Sequence, residues 1–74
     1  MNTKALIDIL GGPAQAARIC DVGTSAAMAW IKSTNGIPPW HWASIVRHAE
    51  REGIRGVTYD AIQATRAAAR EGAK

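Results

Sequence analysis

The apolar positions recur in short helical bouts separated by glycine and proline, a spacing that predicts about five short helices. In residues 3–10, Leu6, Ile9 and Leu10 form an apolar stripe, with Thr3 placed as the N-cap and Ile7 beside the stripe, half exposed. Gly11 and Gly12 end that helix. Pro13 suits the first turn of a second helix, 13–20, because its missing N–H would have no partner there. Ala16, Ala17 and Cys20 share its inner face, and Cys20 reads as a buried small hydrophobe. A tight turn at 21–23 leads into a helix over 24–33 that puts Ala26, Ala27, Trp30 and Ile31 inward. Ser33, Thr34, Asn35 and Gly36 form a turn by composition. In a helix over 39–52, Trp42, Ile45, Val46 and Ala49 follow i, i+3, i+4, i+7. Gly53 ends it, and residues 54–57 form an extended link. Thr58 is positioned to cap a last helix whose inner face takes Tyr59, Ile62 and Thr65 or Arg66, with Asp60 in its first turn. From about residue 67 the chain has helix propensity but little to bury, and is expected to fray.

These elements make one all-α domain spanning 1–74, without internal repeats or a dividing linker. The chain has no Phe, so three Trp, one Tyr and the aliphatics supply its core. The single Cys excludes an internal disulfide and a multi-cysteine zinc site, which fits a reducing cytoplasm. No apolar run reaches the roughly 18 residues needed to span a membrane, and the start Met-Asn-Thr-Lys lacks the apolar segment of a secretory signal. Net charge is +3 and the pI is about 9.6, a balance that suits a polyanionic partner.

The stretch 12–32 carries the functional signal. Small Ala16, Ala17 and Ala27 would let two helices cross closely, Val22 would plug the corner, and Trp30 would close the bottom of the core. That grammar is a helix-turn-helix, which presents its second helix to the DNA major groove. On Ala16-Ala17, Val22, Ala26-Ala27 and Trp30, the stretch resembles the helix-turn-helix of phage Cro-type and YdaS-like repressors and antitoxins. The likeness continues in Gly11-Gly12, Gly36-Ile37-Pro38 and Gly56-Val57-Thr58, so it covers about 6–62. It departs from the family pattern at Asp21, where Gly is usual, and at Gly23, where a Ser or Thr cap is usual. The resemblance implies a lambda-repressor-like fold, transcription regulation in a prophage setting, and a dimer.

Thr24, Ser25, Met28 and Ala29 form the expected base-facing set, a face poor in Gln, Asn and Arg. Hydroxyls there can bond base edges or phosphates, and methyls can touch thymine methyls, so recognition leans on methyl contacts, water and DNA shape. Gln15, Arg18, Lys32, Thr34, Asn35 and His41 are the expected phosphate contacts, joined by the amides at 12–14. Ile7, Trp40 and Tyr59 are candidates for a dimer surface, because two linked half-sites multiply the affinity of a weakly reading helix. His41 and His48 lie two turns apart on one helix, too far to share a metal ion, and no metal or other cofactor is expected. Arg47, Arg51 and Arg55 alternate with Glu50 and Glu52 and read mostly as a solvated, ion-paired face.

Two functions follow as expectations. The first is a sequence-specific double-stranded DNA-binding repressor acting as a homodimer on a palindromic operator in a bacterial or phage-infected cell, at the nucleoid. The second is a protein-interaction module or antitoxin that neutralises a partner protein. No Ser/His/Asp set, paired carboxylates or phosphate loop with its Lys is present, so an enzyme is not expected.

Overall fold

Five α-helices in chain order build the fold, and the computed structural model describes residues 1–72, with side-chain burial to residue 68. They are α1 (Thr3–Leu10), α2 (Pro13–Cys20), α3 (Thr24–Lys32), α4 (Trp42–Arg51) and α5 (Tyr59–Gly72), and a single 3-10 turn over Pro39–His41 leads into α4. No strand occurs among the described residues. The class is all-α, as the periodicity predicts. Helix α5 extends to Gly72, and of the tail expected to fray from about 67, residues 73–74 lie outside the described residues.

Three helices stop by the same device. Gly11, Asp21 and Gly53 take positive φ of 114°, 57° and 68°. The N–H of the following residue then bonds back five positions: Gly12 to Ile7, Val22 to Ala17 and Ile54 to Ala49, at 2.8–2.9 Å. This closure satisfies carbonyls that a helix end leaves orphaned, and it drives the next apolar residue back onto the core. Val22 and Ile54 do pack there, half-buried. Asp21 therefore fills a left-handed position that is costly for most side chains and tolerable for Asp.

The core joins Leu6, Ile7, Leu10, Ala16, Ala17, Cys20, Ala27, Trp30, Ile37, Ile45, Ala49, Val57 and Ile62. All three alanines expected at the α2–α3 crossing are buried, at 0–2 % exposure. Without a long side chain between them the two backbones approach closely, so Ala27 admits no larger residue without repacking.

The sequence reading is corrected at several places. The inward stripe of α1 is Thr3, Leu6, Ile7 and Leu10, spaced i, i+3, i+4, i+7. Ile7 is fully buried and Ile9 is 44 % exposed, so Ile7 is core and not a dimer surface. Thr3 is buried, and the cap is Asn2, whose Oδ1 accepts from the Ala5 N–H at 2.8 Å. Tyr59 is exposed, leaving the inner face of α5 to Ile62, Thr65 and the half-buried Arg66. Thr58 is the expected cap, its Oγ1 accepting from the Ala61 N–H at 3.1 Å. Among the described residues Glu50 and Glu52 form no ion pair with the arginines, and the pair present is Lys4–Asp8, at 3.0 Å on the surface of α1.

Candidate nucleic-acid interface

The turn Asp21-Val22-Gly23 fixes α3 against α2, and the inner contacts of α3 decide what it shows outside. Ala27 and Trp30 are buried, Ala26 and Ile31 half-buried. Helical geometry then gathers Thr24, Ser25, Met28, Ala29 and Lys32 within about 140° of arc on the opposite face. All five are exposed, Met28 to 42 %. Gly23 is the N-cap of α3 and supplies no side-chain hydrogen bond, so Thr24 is the first helical residue rather than the cap. Its hydroxyl is free of capping work. Helix α2 likewise begins at Gly12 without a side-chain cap. The first turns of both helices therefore lack a side-chain cap, although the Ala26 N–H donates to the Gly23 carbonyl at 3.0 Å and Pro13 has no N–H to offer.

Gln15 and Arg18 stand together on the outer side of α2, where they line an open groove against α4. Lys32 ends α3, where a cation also favours the helix dipole. Thr34 and Asn35 are exposed in the following turn. The backbone of that turn is less available than its composition suggests. The Asn35 N–H donates to Ser33 Oγ at 3.0 Å, and the Gly36 N–H to the Ser33 carbonyl at 3.3 Å. Side chains rather than these amides are what the turn offers a ligand.

His41 is half-buried, its ring centroid 5.2 Å from that of Trp30 and 5.9 Å from that of Trp40. It stands beside two indoles instead of free at the start of its helix. Trp40 is 77 % exposed. Beside it, Ala29, Trp30, Ser33, Asn35, Pro39 and Arg66 help to line an open groove of about 470 Å³. The fold thus brings the end of the α3 face, the polar turn and Trp40 to one side, a grouping that the chain's periodicity could not reveal.

Cys20, at the end of α2, is 8 % exposed, and burial pushes its thiol up to about 11. It stays protonated at neutral pH and is a poor nucleophile. No group of three or more His, Cys, Asp or Glu could hold a metal ion among the described residues. No described helix is long and apolar enough to cross a membrane. Comparison with known proteins finds no matching family model, curated protein or solved structure.

Proposed function

We propose that this chain is a sequence-specific double-stranded DNA-binding regulator, a Cro-like repressor that lays α3 in the major groove. The observation that carries the reading is the division of α3: a small, tightly packed inner face set by a three-residue turn from α2, and an outer face of exposed Thr24, Ser25, Met28, Ala29 and Lys32. A helix offered in this way matches the groove in width and needs no further rearrangement. Gln15, Lys32, Thr34 and Asn35 set register on the phosphates, and the hydroxyls and methyls of the outer face choose the site. The net charge of +3 supports the encounter. The protein acts in the cytoplasm as a homodimer on a palindromic operator. Trp40 and Tyr59, 77 % and 52 % exposed, are its candidate dimer contacts.

One observation favours a second reading. The exposed Trp40 beside its groove is the kind of anchor that protein partners use. On that reading the chain is an antitoxin or adaptor, and DNA binding serves autoregulation only.

Fluorescence anisotropy decides between them. The protein is titrated onto duplexes tiled across the DNA upstream of its own gene, with excess random duplex, at several salt concentrations. Tight binding to one tile that survives competitor and falls steeply with salt supports the repressor. Binding no tighter than to random duplex removes it and leaves the protein-partner reading.

A further inference from the structure

The arginines of α4 do not form the ion-paired face that their alternation with glutamate suggests. Arg47 and Arg51 lie one turn apart on the side of α4 that faces α2, separated by about 6 Å of helix rise. Arg18 stands across from them on α2. With Gln15, Ile19, Ser44 and His48 they line an open groove of about 430 Å³. No carboxylate lines it, and none of the three guanidiniums is ion-paired among the described residues. Asp21, Glu50 and Glu52 are exposed, but they stand outside this lining.

We propose that the α2–α4 groove is a binding site for a phosphate group. Three arginines on one lining without a carboxylate make this surface locally cationic, which favours an anion there. The planar fork of Arg matches phosphate oxygens two at a time, so forks from two helices can hold a phosphate from opposite sides. Ser44 and Gln15 add neutral donors, and His48 adds a ring N–H. The half-buried Ile19 supplies an apolar part of the lining. The groove is open to solvent, so it can admit a phosphate carried by a small molecule or by a nucleic-acid backbone. The site goes beyond the α3 reading and shares only Gln15 with it.

The test is a nuclear magnetic resonance titration of the full chain with inorganic pyrophosphate, following backbone amides and arginine Nε–H groups. Saturable shifts are expected at Arg18, Ser44, Arg47 and Arg51. Arg47→Gln and Arg51→Gln should each weaken binding at least tenfold, while Arg55→Gln, outside the groove, stays within twofold. All three positions are exposed, so the variants should fold normally. Shifts spread evenly over Lys4, Lys32 and Arg55, or unchanged affinity in the two α4 variants, overturn the proposal. A random-sequence duplex added to the pyrophosphate complex then identifies the source of the phosphate. Displacement of pyrophosphate assigns the groove to the DNA backbone. Failure to displace it, with or without duplex bound elsewhere, assigns the groove to a free phosphorylated molecule. A duplex that fails to bind at all counts against the α3 reading and leaves the groove standing.

Discussion

The indole Nε1 of Trp42 donates a 2.8 Å hydrogen bond to the carbonyl oxygen of Ile37, five residues earlier. Ile37 is fully buried, and Trp42 opens α4. The bond therefore ties the connection that carries Thr34 and Asn35 to the helix that follows it. Trp42→Phe keeps an aromatic ring but removes the donor, leaving a partly buried carbonyl without its partner. The expected loss is about 1–3 kcal/mol. Thermal unfolding followed by circular dichroism measures it, and an unchanged midpoint would mean that water replaces the indole.

Gly36 takes φ +65°, and a Cβ built there would stand 3.2 Å from Thr3 Oγ1 and 3.4 Å from Arg66 Cγ. Gly53 has nearly the same backbone, φ +68°, with nothing within 4 Å. Gly53→Ala therefore reports backbone strain alone, expected at about 1 kcal/mol. Gly36→Ala adds crowding between α1 and α5 and should cost about 1–2 kcal/mol more. Denaturant midpoints of the two variants, compared side by side, separate the terms; equal losses would show that Thr3 and Arg66 simply move aside.

Burial raises the Cys20 thiol from about 9 to about 11. The folded chain then holds this proton more tightly than the unfolded chain. The associated stability is complete below pH 9, declines as pH rises through the 9–11 window, and is lost above it. Two units correspond to about 3 kcal/mol at most. Lys and Tyr residues titrate in the same range, so the informative quantity is the difference from Cys20→Ala. That variant should lose less stability between pH 8 and 11, and parallel curves would show that the thiol ionises as easily in the native state.

Lys32 and Met28 share the outer face of α3 but should fail differently. Lys32→Ala is expected to weaken binding on every DNA sequence alike and to reduce the salt slope by about one unit. Met28→Ala should change site preference while leaving the slope intact. Anisotropy on two or three duplexes at several salt concentrations measures both. A changed preference in the Lys32 variant with an unchanged slope would move that residue from backbone to base.

Most of the helices are legible because their inner faces repeat at helical spacing and their ends carry Gly, Asp or Pro. Where the reading fails, the chain offers two faces of equal apolarity. Around α1, Ile7 and Ile9 are equally apolar, and only packing against α5, α2 and α3 selects Ile7. Tyr59 lies one turn before Ile62 and nearly two before Thr65, yet it stands outside the core. The outer face of α3 is legible in the same way as its inner face, by subtraction. The α2–α4 groove is not. Arg18 is separated from Arg47 by 29 positions, and local charge patterning points to glutamate partners that are not found among the described residues. His41 shows the same blindness, since its two indole neighbours become visible only in three dimensions.

The division of α3 also bears on how such a chain can change. Alanine and Trp30 hold the helix in place, and they contribute nothing to what it displays. Thr24, Ser25, Met28, Ala29 and Lys32 are exposed and stand outside the core. Replacing any one of them should shift stability by no more than about 0.5 kcal/mol. On the proposed reading the helix is an interchangeable cartridge: one lineage, or one library, could retarget it without having to refold the domain around it.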